Sequence, residues 1–256
     1  MSKYEGKIAL VTGAGSGIGR QTAIEFAKFG ATVVVSDINA ADANATVNAI
    51  TENNGKAIFI QADMAKKTDI LNLFEAIKAQ FKSLDFAVNN AGIGGPYAPT
   101  HQYAEDAWDR VININQKGVF LCMQEELKIM TATGGGAIVN VASAAGLRAL
   151  PLTIAYVASK HAVVGMTKTA AVEAGKMNVR INAICPFFSS TPMVDNAILN
   201  PKGDIEEVNK NLARGCPLKR IATVNEIVNV MVMMLSPQNT YMNGIALPVD
   251  GGVSAM

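Results

Sequence analysis

The sequence has little cysteine, little histidine and no excess of charge of either sign. Its 256 residues include 3 cysteines and 2 histidines, and 22 basic side chains nearly balance 21 acidic ones. Cys122, Cys185 and Cys216 are an odd number at wide spacings, so we expect neither a disulfide framework nor a zinc site. His101 and His161 lie far apart and form no metal-ligand pattern. We therefore expect no metal.

The near-neutral charge and the lack of long apolar runs narrow the range of partners. A net charge of +1 gives no reason to expect a nucleic-acid or membrane-surface partner. The most apolar late run, residues 228–235, is too short to cross a bilayer and is typical of a buried helix. The first residues are polar and lead directly into a strand, so we expect no signal peptide. The sparse cysteines fit a reduced, cytoplasmic setting.

Short apolar runs that alternate with helix-like segments are what the sequence does contain. Continuous apolar strands alternating with helices indicate a parallel sheet covered on both faces. With right-handed crossovers, this pattern predicts an α/β fold, a doubly wound Rossmann-type parallel sheet with helices on both faces. The predicted strands lie near residues 8–12, 32–36, 57–61, 85–88, 136–141, 180–184 and 245–249, and the predicted helices near 20–29, 42–53, 68–81, 105–131, 154–174 and 224–235.

One domain over residues 1–256 is the simplest organisation. No linker, repeat or low-complexity segment interrupts the alternation. The weakest stretch is residues 187–217, where proline, glycine, asparagine and aspartate accumulate. We expect a mobile substrate lid with short helices there.

A glycine-rich turn joins the first strand to the first helix. Gly13, Gly17 and Gly19 have the spacing G-x-x-x-G-x-G rather than the G-x-G-x-x-G of the dinucleotide fingerprint. At the start of the helix the backbone N–H groups are unpaired and the helix dipole favours an anion. The turn therefore predicts a phosphate site, and a turn that only closes a βα unit is the alternative.

Polar residues also follow the next three strands, where doubly wound sheets bind their ligands. Asp37 can accept hydrogen bonds from an adenosine ribose and would repel a 2′-phosphate, which favours NAD over NADP; a capping role is the alternative. Asp63 is open to an adenine-facing or a capping role. Residues 89–92, Asn-Asn-Ala-Gly, form a small polar turn on which a cofactor could lie, or a plain βα turn.

A serine, a tyrosine and a lysine follow the fifth strand. Tyr156 and Lys160 stand at i and i+4 of a predicted helix, on one face. A nearby ammonium favours the phenolate and lowers the tyrosine pKa, so the pair could transfer a proton. Ser143 could polarise a carbonyl group by donating a hydrogen bond. A solvated helix face is the alternative for the Tyr–Lys pair taken alone.

Taken in order along essentially the whole chain, these motifs resemble those of the short-chain dehydrogenase/reductase family. T-G-x-x-x-G-x-G at residues 12–19 resembles the family's cofactor turn, and N-N-A-G at 89–92 resembles its motif after strand four. The family's catalytic tetrad, with its Y-x-x-x-K spacing, is matched by Asn115, Ser143, Tyr156 and Lys160.

The resemblance implies an oxidoreductase that transfers a hydride between NAD(H) and a secondary alcohol or ketone. Tyr156 would be the general acid/base. Lys160 would bind the nicotinamide ribose, Ser143 would hold the substrate oxygen, and Asn115 would hold a water that links Lys160 to solvent. The cofactor-binding residues implied are Gly13, Ser16, Gly17, Ile18, Gly19, Asp37, Ile38, Asp63, Met64, Asn90, Ala91, Gly92, Tyr156, Lys160, Pro186, Ser189 and Thr191.

The sequence departs from the family after Pro186, where Phe187 stands in place of the usual glycine and is followed by Phe188. They could narrow the pocket over the nicotinamide or pack under the lid. Arg148 is a candidate anchor for an anionic substrate, although a solvated or interface role is the favoured interpretation. The residues expected to line an apolar substrate pocket with Ser143 and Tyr156 are Arg148, Leu150, Leu152, Phe187, Phe188 and Met193.

Two alternative functions and an oligomeric state are also considered from the sequence. A 3-oxoacyl thioester reductase is an alternative, but members of that group commonly use NADPH and a basic residue where this chain has 36–38, Ser-Asp-Ile. A non-catalytic nucleotide-binding regulatory protein on the same fold is the second alternative. The resemblance also implies a homotetramer, built through the long helices near 105–131 and 154–174 and the C-terminal end.

Overall fold

A computed structural model describes residues 4–191 and 205–256. Their centre is a sheet of seven parallel strands in the order β3-β2-β1-β4-β5-β6-β7. The order reverses between β1 and β4, which is the topological switch point of the sheet. The strands are β1 Ile8–Thr12, β2 Thr32–Asp37, β3 Lys56–Gln61, β4 Phe86–Asn89, β5 Gly136–Val141, β6 Val179–Pro186 and β7 Ala246–Val249.

Helices cover both faces of this sheet, which confirms the predicted doubly wound α/β fold. The longest, a 21-residue helix that packs against β6, carries the predicted Tyr–Lys pair. No described helix is long and apolar enough to cross a membrane. The helices are α1 Gly17–Lys28, α2 Ala40–Thr51, α3 Lys67–Gln80, α4 Glu105–Ile112, α5 Val119–Ala132, α6 Ile154–Ala174, α7 Ile205–Ala213 and α8 Val224–Met234.

The hydrophobic core has two layers, one on each side of the sheet. Leu10 of β1 joins the layer under α3, α5 and α6, while its neighbour Val11 joins the layer under α1 and α8. This alternation follows from the two-residue period of a strand. Phe74 on one side and Phe26 on the other are fully buried, and each such side chain contributes about 1.5–3 kcal/mol of burial free energy.

Several element boundaries differ from the sequence-based expectations. α2 begins at Ala40 rather than 42, because the Asn39 side chain accepts hydrogen bonds from two backbone N–H groups of the first turn. β6 extends to Pro186 because β5 and β7 flank it on both sides. The expected helix over 105–131 is α4, a π-helical segment Asn113–Gly118 and α5.

The expected lid is only partly described. Its last part contains α7, and Ser189 near its start forms a bridge with Ala222. Met193 and most of the expected lid lie outside the described residues. The single-domain organisation and the mobility of the lid stay predictions.

Candidate functional site

A cavity of about 630 Å³ opens at the carboxyl ends of the strands, beside the switch point. Most of the predicted site residues line it, although they come from opposite ends of the sequence. Its lining includes Gly13, Ser16, Gly17, Ile18, Asp37, Ile38, Asp63, Met64, Asn90, Ala91, Gly92, Ser143, Arg148, Leu150, Tyr156, Lys160, Pro186, Phe187, Phe188, Ser189 and Thr191.

Three predicted residues do not line the cavity. Gly19 lies against the backbone of Gly13, where an added Cβ would clash with the Gly13 carbonyl oxygen. Asn115 is fully buried behind the cavity wall. Leu152 is half exposed and has a φ of 67°, so the turn carries its side chain out of the lining and it is a wrong prediction for the pocket.

The glycine turn is tied to the Asn-Asn-Ala-Gly turn by a set of short hydrogen bonds. The Asn90 side chain donates to the carbonyl oxygens of Thr12 and Gly13, both at 3.0 Å. Thr12 Oγ1 accepts the backbone N–H groups of Asn90 and Ala91 at 3.1 Å. Gly13 has a φ of 62°, and an added Cβ would come within 2.8 Å of Ala91 Cα. The chemistry of this narrow backbone cradle suits an extended anionic group.

Asp37 lies at the end of β2 and lines the cavity. Its carboxylate also accepts hydrogen bonds from the backbone N–H groups of Gly15, at 2.8 Å, and Asn39, at 2.9 Å. Both interpretations of this residue therefore have support in the structure. The carboxylate fixes the glycine turn and still faces the cavity.

Tyr156 and Lys160 lie one turn apart on α6, as the spacing predicts. The Lys160 ammonium donates to the carbonyl oxygen of Val141 at 2.7 Å and lies 5.6 Å from the Tyr156 ring centroid. Burial lowers the pKa of Lys160 to about 8. Burial raises the pKa of Tyr156 above its usual value, while a hydrogen bond from Ser143 lowers it. The pKa of Tyr156 therefore shifts in the direction opposite to the one expected from a nearby ammonium, because burial disfavours the phenolate.

Ser143 ends the loop after β5 beside Tyr156. Its Oγ accepts the backbone N–H of Ala145 at 3.1 Å and caps a 3-10 turn, Ala144–Gly146. Its hydroxyl hydrogen can be donated to the carbonyl oxygen of Pro186, at 3.5 Å, which is a long contact. The serine is thus held beside Tyr156, and its hydroxyl can donate to the tyrosine oxygen in place of the long contact with Pro186.

Asn115 stands in the π-helical segment between α4 and α5. Its side-chain amide forms two hydrogen bonds of 2.8 Å with the backbone of Ile93 and a third of 3.2 Å with Ser159. The side chain therefore fixes the segment after Gly92 against α6. The predicted water between Asn115 and Lys160 stays a prediction.

Arg148 and the two phenylalanines shape the outer part of the cavity. The Arg148 guanidinium donates to the carbonyl oxygen of Val253 at 3.0 Å, so it holds the C-terminal segment. Phe187 and Phe188 stack edge-on with ring centroids 4.7 Å apart. Both line the cavity, which agrees with a narrowed pocket.

Sequence reasoning missed part of the apolar wall. Tyr97, from the loop after β4, Leu212 of α7 and Val253 near the C-terminus all line the cavity. Two adjacent glycines precede the loop that carries Tyr97 and are the only local signal for it. Among residues 4–191 and 205–256, no group of three His, Cys, Asp or Glu side chains could hold a metal ion.

Comparisons with known proteins cover nearly the whole chain. Residues 13–254 match a family model described as enoyl-(acyl carrier protein) reductase. Levodione reductase of Leifsonia aquatica is 36% identical over 99% of this chain and 96% of its own length. A crystal structure of levodione reductase superposes with a TM-score of 0.94 over 98% of this chain and 99% of that one.

Two further proteins are similar over nearly their full lengths. Cyclohexanol dehydrogenase of an Acinetobacter strain is 37% identical over 99% of this chain and 97% of its own. Carveol dehydrogenase of Mycobacterium avium, crystallised in complex with NAD, is 27% identical with a TM-score of 0.94 over 100% of both chains.

Proposed function

Because the chain belongs to the short-chain dehydrogenase/reductase family and is an oxidoreductase of that family, we propose that it interconverts a secondary alcohol and a ketone with NAD(H). The observation that carries this proposal is the convergence of Ser143, Tyr156 and Lys160 on one wall of the cavity. The names of the relatives support it, since levodione reductase and cyclohexanol dehydrogenase act on a ketone and an alcohol.

The residues around the glycine turn fit a dinucleotide. The cradle of Gly13 and Gly17 takes the pyrophosphate, and Asp37 takes the adenosine ribose. Asp63 and Met64 flank the adenine. When bound, NAD(H) supplies the hydride acceptor or donor of the reaction. The other proposed cofactor contacts, all but Gly19 at the cavity wall, are Ser16, Ile18, Gly19, Ile38, Asn90, Ala91, Gly92, Tyr156, Lys160, Pro186, Ser189 and Thr191.

The chain's own residues hold and move the proton. In ketone reduction the Tyr156 hydroxyl donates its proton to the substrate oxygen, and in alcohol oxidation the phenolate removes it. Ser143 donates a hydrogen bond to the same oxygen and stabilises the negative charge that develops on it. Lys160 places a positive charge near the tyrosine ring and favours the phenolate. Asn115 holds the backbone beside this site through Ile93.

The expected substrate is a small, mainly apolar molecule. Leu150, Phe187, Phe188 and Tyr97 present apolar or aromatic surface to the cavity. Arg148 is already engaged by a backbone carbonyl, so an anionic anchor is not needed to explain it. The proposed setting is cytoplasmic.

Two alternative functions are each weighed against one observation. A 3-oxoacyl thioester reductase would share the acyl-carrier type of substrate with the enoyl-(acyl carrier protein) reductase that the family model names, but Asp37 opposes the NADPH that 3-oxoacyl reductases commonly use. A non-catalytic nucleotide-binding protein would have no need of the Ser143, Tyr156 and Lys160 arrangement.

We expect a homotetramer. Apolar side chains that are exposed in the described chain support this expectation. They lie on the helices and the C-terminal end that are expected to pack between subunits. Phe120 of α5 is 46% exposed, Val172 of α6 is 84% exposed, and Met256 at the C-terminus is 80% exposed. Contact with other copies would bury these side chains.

The proposal is tested with a panel of secondary alcohols, ketones and 3-oxoacyl thioesters. Each compound is assayed with NAD(H) by nicotinamide absorbance. Turnover of at least one cyclic or aliphatic member, with little turnover of 3-oxoacyl thioesters, is the expected result. Turnover of the thioesters alone would favour the alternative reductase, and nucleotide binding without turnover of any member would favour a regulatory protein.

A further inference from the structure

A buried chain of polar side chains links α5, β4, β5 and α6, and it ends at a carboxyl group. The Asn89 amide donates to Glu126 Oε2 at 3.0 Å and to Asn140 Oδ1 at 2.9 Å. The Asn140 amide donates in turn to Thr167 Oγ1 at 2.9 Å. All four side chains are at most 2% exposed. None of them lines the large cavity.

Within this network of four polar side chains, two oxygen atoms lack a hydrogen-bond partner among the described residues. They are Glu126 Oε1 and Asn89 Oδ1, both fully buried. An ionised carboxyl group offers only acceptors, whereas a protonated one adds an O–H donor. A proton on Glu126 Oε1 would supply the donor that Asn89 Oδ1 lacks. The acid and the amide would then be joined by two hydrogen bonds, one in each direction.

Within the described part of the chain, no basic side chain forms an ion pair with Glu126. The nearby Lys128 pairs with Glu125 at 2.6 Å instead. The titratable group beside Glu126 is the Cys122 thiol, one turn earlier on α5, and burial raises its pKa as well. The groups that β4, β5 and α6 present are the neutral amides and the hydroxyl already named. Burial therefore raises the pKa of Glu126 to about 8, opposed only by the hydrogen bond from Asn89.

The α3 helix packs against α5, and its charged Lys78 interacts with Glu125 rather than with Glu126. Its buried side chains are Ile70, Leu73, Phe74 and Ile77, all of them apolar.

We propose that Glu126 is a neutral carboxylic acid in the folded enzyme and a positioning residue for the cofactor turn and the catalytic lysine. It acts through the two asparagines. Asn89 directly precedes Asn90, which holds the glycine turn. Asn140 directly precedes Val141, whose carbonyl oxygen accepts the Lys160 ammonium. Ionisation of Glu126 removes the donor from Asn89 and places an uncompensated anion between the ends of β4 and β5.

Infrared difference spectroscopy tests the protonation directly and does not depend on any substrate. We expect the wild-type protein at pH 7 to show the carbonyl stretch of a protonated carboxyl group, which Glu126→Gln removes. Glu125→Gln is the matched control, since it changes the adjacent carboxyl group of the same helix, which is paired with Lys128. The band should persist in that control and should titrate with a midpoint of about 8. A spectrum with no such band at pH 7, or one lost equally in both variants, would overturn the proposal.

NADH binding, followed by nicotinamide fluorescence from about pH 6 to about pH 10, tests the positioning role. Because burial also lowers the pKa of Lys160 to about 8, the two proteins are compared at each pH, and the readout is the ratio of the wild-type dissociation constant to that of Glu126→Gln. This ratio should rise from about one below the titration to about ten above it, the effect of one lost hydrogen bond in the network. The amide of Glu126→Gln keeps both a donor and an acceptor at every pH. A ratio that stays at one throughout would show that Glu126 is structural only.

Discussion

The Lys160 ammonium donates a 2.7 Å hydrogen bond to the carbonyl oxygen of Val141, at the end of β5. This contact joins α6 to the strand that leads to Ser143. The lysine is only 4% exposed, so it carries a positive charge in a largely apolar setting with a backbone oxygen as its acceptor. The consequence is a pKa of about 8 rather than 10.5.

Lys160 therefore makes stability depend on pH in a defined window. Between about pH 8 and 10.5 the folded protein has lost this proton while the unfolded chain still binds it, so the free energy of unfolding rises with pH. The rise amounts to about 3 kcal/mol at 1.36 kcal/mol per pKa unit. Urea unfolding of the wild type and of Lys160→Met across this window isolates the effect. If the difference in free energy of unfolding between wild type and Lys160→Met stays constant with pH, the lowered pKa of Lys160 is contradicted.

The link between Asn90 and the glycine turn gives a second prediction. Asn90→Asp is isosteric but places carboxylate oxygens against the carbonyl oxygens of Thr12 and Gly13. We expect a loss of about 2–3 kcal/mol in the free energy of unfolding and at least about tenfold weaker NADH binding, measured by denaturation and fluorescence titration.

Asn44→Asp is the control for this change. Asn44 is exposed on α2 and donates to one carbonyl oxygen, that of Ala40. The same chemical change should cost less than about 0.5 kcal/mol there. Equal losses at the two positions would mean that the contact with the glycine turn is not what matters.

Asp37 gives a prediction about cofactor choice. The wild type should have a higher kcat/KM with NADH than with NADPH, because the carboxylate repels a 2′-phosphate. Asp37→Asn should raise the NADPH-to-NADH ratio of kcat/KM by about tenfold, since one charge repulsion is removed. Asp42→Asn removes a neighbouring charge on α2 that does not line the cavity and should leave the ratio unchanged. A wild type that prefers NADPH would refute the proposed role of Asp37.

The sequence was sufficient for the sheet and for the glycine turn because both depend on local patterns. Short β-branched runs such as β2 are typical of strands, and Gly13 with a φ of 62° needs glycine at that position. The Tyr156–Lys160 pair was predictable for the same reason, as helix geometry fixes i and i+4. The family motif then supplied the partners that spacing alone left open.

Contacts between distant parts of the chain were not predictable in this way. The charge of Arg148 makes it a candidate substrate anchor in the sequence. Its observed acceptor is the carbonyl oxygen of Val253, a backbone atom 105 positions away that no local pattern predicts. The opposing pKa shifts of Tyr156 and Lys160 depend on burial, which no spacing reports. Glu126 is one of two adjacent acids in the sequence of α5, and only packing distinguishes it from the ion-paired Glu125.

The central claim is that Tyr156 transfers the proton, and Tyr156→Phe tests it most directly. The measurement is kcat/KM for the best alcohol–ketone pair of the panel, with NADH binding followed in parallel. We predict a loss of about a thousandfold in kcat/KM, the usual contribution of a general acid/base, and an NADH dissociation constant within about threefold of wild type. Full activity of Tyr156→Phe with intact NADH binding would contradict the mechanism.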